Sequence, residues 1–177
     1  MILRKLLNFI AQFPGNIKHQ FRNIYLDSNF YDKKISKINN EELIYKPSPH
    51  LLSSLIKYQA QKINVDSISE ENLWENENIN NNNFKRLNNF YWFFTLDLKS
   101  SRKKTQKIVS DWITKNHKYN SRSWEFDLTS KRIIAWLSNH SLTLEQADKD
   151  YLEIFNGMIQ KQTNHLIGEI NNSKNTN

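Results

Sequence analysis

The sequence predicts an all-α fold assembled from antiparallel helical hairpins, and three observations carry that expectation. Gly and Pro are scarce, three of each in 177 residues, whereas a β-fold with many tight turns needs more of both. From Phe84 onward, apolar residues return at helical spacing. The polar connections between these stretches are short, about three to ten residues, which makes consecutive helices antiparallel neighbours. Apolar residues make up only 38% of the chain, but aromatics reach 12%, with ten Phe and five Trp. Rings of that size bury enough area for a core at this length.

Residues 1–13 read as a helix with Leu3, Leu6, Leu7 and Ile10 on one face, ended by Pro14-Gly15. Residues 16–49 lack strong periodicity, although they contain Phe21, Ile24, Tyr25, Leu26, Phe30 and Tyr31. They read as an extended arm or short strands lying on a surface, and Pro47 and Pro49 push their neighbours away from helix. A short helix is expected over His50 to Gln61, with Leu51, Leu52, Leu55, Ile56 and Tyr58 as its apolar positions. The polar, Asn-rich stretch 62–83 reads as a loop around Trp74.

Four stronger helices follow. The first spans Asn82 to Leu98, with Phe84, Leu87, Phe90, Tyr91, Phe94 and Leu98 on its apolar side. Ser100 or Ser101 caps the second, which runs to His117 with Ile108, Val109, Trp112 and Ile113 facing inward. Asp127 caps the third, which carries Ile133, Ile134, Trp136 and Leu137. Thr143 and Gln146 have capping-box spacing and open the fourth, which reaches Ile170. Gly157 inside it marks either a close helix contact or a local weakening. The organisation expected is an N-terminal helix and arm over 1–49, a helical region over 50–171 and a polar tail over 172–177.

Composition excludes some chemistry. There is no cysteine, so disulfides and thiolate metal sites are out, and five scattered His without a carboxylate cluster argue against zinc. No metal or cofactor is expected. The net charge of +7 admits nucleic acid, an anionic membrane or an acidic polysaccharide as partner, or an ordinary Lys-rich surface. No stretch approaches the length that spans a bilayer, and the N-terminal apolar run, interrupted by Arg4 and Lys5, is a poor signal peptide, so the compartment stays open.

Several segments together resemble bacterial heparinase II/III-like proteins. Asn72-Leu73-Trp74-Glu75 followed by Leu87-Asn88-Asn89-Phe90-Tyr91-Trp92-Phe93 is similar to a Pro-Trp segment and a Leu-His-x-Phe-x-Trp-Leu helix, with Asn88 where the family tends to have His. Asp111-Trp112-Ile113 resembles the family's D-W-I helix. The run Trp124 to Ser138 resembles its W-x-x-D-x-x-x-x-R-x-I-x-W-L-S segment. The likeness covers about residues 45 to 170, with a proline-rich patch at Pro47 to Leu52. It implies an incomplete (α/α) toroid of antiparallel helical hairpins, the N-terminal part of a polysaccharide lyase. Such lyases act by β-elimination on uronic-acid glycans, using a group that neutralises the carboxylate, a Tyr or His that removes the adjacent proton, and an acid at the leaving oxygen. The family's catalytic Asn, Tyr and His match no position here. The resemblance therefore implies a piece that is inactive alone, and that binds acidic polysaccharide through a parent protein supplying further toroid helices and a β-sandwich.

Read as residues, Trp124, Asp127, Arg132 and Trp136 form the best constellation. Arg132 and Trp136 share a helix face, and could make a sugar platform in which a ring stacks on a pyranose and the guanidinium binds a carboxylate or sulfate. The structural reading has Asp127 capping, both Trp in the core and Arg132 tying a neighbouring loop. Asn139 and His140 could polarise a carboxylate or relay a proton, but a helix end explains both equally well. Lys99 to Arg122 contains eight basic residues against Asp111, a solvated helix face or an anion-binding surface. No nucleic-acid motif is present, so nucleic acid is not the expected partner. The functional alternative to the lyase part is a non-enzymatic helical module that binds anionic ligands such as polysaccharide or nucleic acid.

Overall fold

The computed structural model describes residues 15–37, 73–74, 81–97 and 99–174. They fold into helices α1 (Gly15–Leu26), α2 (Asn29–Ile35), α3 (Asn81–Asn88), α4 (Arg102–Lys115), α5 (Phe126–Ser138), α6 (His140–Thr143) and α7 (Lys149–Lys174), with a 3-10 turn at Tyr91–Thr95. The fold is all-α, with no strand among the described residues. The helices expected over 1–13 and 50–61 lie outside them.

Helix α7 organises the rest. Its residues Tyr151, Phe155, Met158, Ile159, Gln162 and His165 are buried, at three- and four-residue spacing along one face. Helices α2, α4 and α5 all pack against it. This differs from the sequence expectation of hairpins in succession, because α4 and α5 each meet α7 more closely than they meet one another. The short helix α6 fills the corner between α4 and α5.

The N-terminal segment corrects the expectation of an extended arm, since residues 15–26 and 29–35 are helical. Ser28 starts α2 by accepting a hydrogen bond from the Tyr31 amide, a side-chain cap that the weak periodicity concealed. Three contacts dock α2 on α7. Lys161 pairs with Asp32 at 2.7 Å, Asn164 donates to the last helical carbonyl of α2, that of Ile35, at 2.7 Å, and the Tyr31 hydroxyl meets His165 Nδ1 at 2.6 Å. Arg22 and Glu169 tie α1 to the same helix.

The helix expected over 82–98 ends at Asn88. Two side chains compete with its backbone ladder there: Asn88 Nδ2 donates back to the Phe84 carbonyl, and Asn89 Oδ1 accepts from the Tyr91 amide. Phe90 then takes left-handed backbone, φ 57°. That conformation costs a non-glycine residue about 1–2 kcal/mol. It is offset because the turn drives the Phe90 ring fully into the core, worth about 1.5–3 kcal/mol before aromatic pairing. The ring meets Trp74 at 5.3 Å, Phe93 at 5.0 Å and Trp136 at 5.1 Å between centroids.

Two further caps differ from the sequence reading and one agrees. Ser101 caps α4, accepting from the Lys104 amide. Asp127 lies within the first turn of α5, preceded by Glu125 at the cap position, and pairs instead with Lys131 at 2.7 Å. Thr143 ends α6 and Gln146 takes left-handed backbone, φ 59°, so no capping box opens α7. Asp148 does that work, accepting from the Tyr151 amide at 2.8 Å. Gly157 has nothing within 4 Å of where a Cβ would sit, which removes the close-contact explanation for it.

Candidate functional site

Arg132 is the most heavily bonded side chain in the core. It projects from α5, fully buried, and its guanidinium donates to the carbonyls of Asn88 (2.9 Å) and Ser123 (3.1 Å), to Gln162 Oε1 (3.2 Å) and to Thr129 Oγ1 (3.3 Å). Its carbon centre lies 4.0 Å from the centroid of the Trp112 ring. None of the four acceptors is a carboxylate, and burial holds the guanidinium well below the usual arginine range. Trp112 Nε1 donates to Asn88 Oδ1 at 2.8 Å, so Asn88, Trp112 and Arg132 form one buried network joining α3, α4 and α5 to α7.

This placement corrects the sugar-platform expectation. Trp124, Arg132 and Trp136 are each at most 1% exposed, and no glycan ring can stack on them while the core is closed. Trp124 donates from its indole to the Asn116 carbonyl, and Trp136 packs between Phe90 and Phe155. Asn139 is buried at the end of α5, where its amide donates to the Ala135 carbonyl at 2.8 Å. His140, next to Asn139 in the chain, is exposed beside Glu145, 3.9 Å away, and lies outside the core that holds Trp124, Arg132 and Trp136. The structure thus joins Trp124, Arg132 and Trp136 in the core, puts Asn139 at a helix end and leaves His140 in solvent.

A second buried polar group gathers at α7. His165 Nδ1 meets the Tyr31 hydroxyl and Nε2 meets the Trp124 carbonyl at 3.1 Å. A carbonyl can only accept, so Nε2 carries the proton; burial disfavours a second proton on the ring, which leaves Nδ1 to accept from the Tyr31 hydroxyl. Burial pushes the His165 pKa down, aided by Arg22 and Arg132 and opposed by Glu169 and the Trp124 carbonyl. Burial also raises the Tyr31 and Tyr119 phenols, with Glu169 adding to both shifts. Tyr119 is therefore harder to ionise than a free tyrosine.

The surface offers a different feature, which the sequence does not single out. A groove of about 660 Å³ lies where the start of α3 meets the start of α5. Asn81, Asn82, Asn83 and Asn89 line it with Lys85, Arg86 and Lys131, and Asp127 and Leu128 complete the wall. Amides offer both donors and acceptors, and the three cations outnumber the one acid. Lys85 also reaches Glu125 at 3.0 Å, and the bond to Asp127 raises the Lys131 pKa. The one sequence signal for this groove was the asparagine run before Phe84, which composition alone does not distinguish from a linker.

The basic run from Lys99 to Arg122 is partly internally neutralised. Arg102 pairs with Glu145 at 3.1 Å, Lys107 with Asp111 at 2.8 Å, and Arg122 stacks over Phe84. Among the described residues no group of three His, Cys, Asp or Glu could hold a metal, and no helix is long and apolar enough to cross a membrane. No protein-family model, no curated protein and no solved structure matches the chain.

Proposed function

We propose that the chain is the N-terminal helical part of a heparinase II/III-like polysaccharide lyase, the opening section of an (α/α) toroid, inactive alone and contributing a binding wall for an acidic, uronate-bearing glycan. The observation that carries the reading is the groove between α3 and α5. Its four asparagines suit sugar hydroxyls, and Lys85, Arg86 and Lys131 suit carboxylates or sulfates. The buried network adds support. Trp112 and Arg132 come from two separate segments that resemble the family, and they meet in one core through Asn88, which stands where the family tends to have His.

The alternative is a non-enzymatic helical module that binds anionic ligands. The observation in its favour is that α4 and α5 both pack on α7, which makes a bundle around one helix rather than a ladder of hairpins.

Both readings are tested by titrating the chain with polygalacturonate and with neutral dextran, while following the ultraviolet absorbance of unsaturated uronyl ends. Selective binding to the polyuronate, weakened about tenfold by Arg86→Ala with Lys131→Ala, is the expected result, since each lost charge-assisted bond is worth about 1.5–3 kcal/mol before solvent screening. Absorbance should stay flat. Binding that ignores the double substitution removes the groove from the proposal, and a rising absorbance overturns the claim of inactivity.

A further inference from the structure

Helices α1 and α2 leave three large apolar side chains in solvent: Phe21 at 65%, Ile24 at 67% and Phe30 at 70% exposure. Phe21 and Ile24 are three residues apart and share a face of α1. The Phe30 ring sits 6.3 Å from that of Tyr25, which places it beside the same face. The patch is therefore continuous across both helices. Lys33, Lys34 and Lys37 are exposed next to it, with the Lys34 ammonium 3.4 Å from the Tyr25 hydroxyl. Asp32 is engaged by Lys161 and Glu169 by Arg22, and the three lysines outnumber Asp27, the exposed acid in the turn between the two helices. In the sequence ahead of the patch, residues 1–20 hold Arg4, Lys5 and Lys18 and no Asp or Glu.

We propose that this face docks on an anionic lipid bilayer, with Phe21, Ile24 and Phe30 entering the headgroup boundary and the lysines contacting lipid phosphates and carboxylates. Apolar side chains bordered by lysines on a short helix pair have the composition of an interfacial anchor. A soluble polyanion such as a glycan or nucleic acid would use the lysines but leave the three apolar groups in water. A second copy meeting the first face to face would bring two sets of these lysines into one interface, where like charges oppose association. The patch is remote in sequence from the α3–α5 groove, and the proposal does not depend on the glycan reading.

The experiment is sedimentation of the full chain with vesicles of phosphatidylcholine mixed with an equal part of phosphatidylserine, and with phosphatidylcholine alone. Expected is binding to the anionic vesicles that falls at least tenfold with Phe21→Ser, Ile24→Ser and Phe30→Ser together, and about tenfold to hundredfold with Lys33→Gln, Lys34→Gln and Lys37→Gln. The serine variant changes only exposed side chains, and an unchanged helical circular-dichroism signal and melting temperature shows that its loss is not unfolding. Absence of vesicle binding by the wild-type chain overturns the proposal. So does binding that the serine variant leaves intact, and so does self-association through the patch without any partition into vesicles.

Discussion

Replacing Arg132 by methionine keeps the length and much of the volume of the side chain but removes its charge and all four donated hydrogen bonds. Two opposed terms decide the outcome. Relief of a buried, uncompensated guanidinium favours the variant by several kcal/mol. Against it, the carbonyls of Asn88 and Ser123 and the Gln162 amide oxygen lose their donor inside the core, at about 1–3 kcal/mol each. Loss of the cation over the Trp112 ring adds up to about 2 kcal/mol in a dry site. The balance is a net destabilisation of about 3 kcal/mol, a large part of the roughly 5–15 kcal/mol that holds a domain together. Arg132→Lys should be no better, because an ammonium keeps the desolvation cost and loses the planar fork and the stacking. Urea titration followed by tryptophan fluorescence measures both, with Trp112 as a reporter adjacent to the substitution. A methionine variant as stable as the parent, within about 0.5 kcal/mol, would refute the reasoning by showing that desolvation outweighs the bonds.

Two further outcomes follow from particular positions. Gly157→Ala should stabilise the chain by about 0.5–1 kcal/mol and raise the melting temperature by a few degrees, because the added methyl meets nothing within 4 Å and alanine prefers the helix; a lower melting temperature would contradict the open surroundings of that site. Stability should fall as the pH drops below about 6.5, since the unfolded His165 then takes up a proton that the buried ring resists, at no more than about 1.4 kcal/mol per pH unit. His165→Gln should flatten that acid slope in urea titrations at pH 5 to 7, and an unchanged slope would assign it to other groups.

The all-α class and helix α4 were legible because they rest on local signals. Ser101 sits immediately before a periodic run, and each of Ile108, Val109, Trp112 and Ile113 is buried as its spacing implied. What failed was whatever depended on tertiary context. Nothing in Phe84 to Leu98 announces that Phe90 adopts left-handed backbone, since the gain comes from rings supplied by Trp74, Trp112 and Trp136. Asp127 and Thr143 each have the chemistry of a cap, but Glu125 and Asp148 occupy the cap positions because α5 and α7 begin where packing on the core begins. Helices α1 and α2 were missed because their large apolar residues point partly outward, which blurs the periodicity a half-buried helix displays. For Arg132, Trp124 and Trp136 the residue types pointed to one important constellation. Sequence alone left open whether it faced a ligand or the interior, since stacking and hydrogen-bonding groups serve both uses.

The reliance of α2 on α7 also bears on how the chain is made. Tyr31 and His165 are 134 residues apart, and Asn164 and Ile35 are 129 apart. On a ribosome that emits the chain from its N-terminus, the early helix is complete long before its partner exists. The clasp that the late helix provides, through a histidine, an asparagine and a lysine, becomes available only after more than a hundred intervening residues have emerged. During that interval the early apolar face has no native surface to rest against, and nascent chains with that kind of wait are the ones that hold out hydrophobic surface to chaperones.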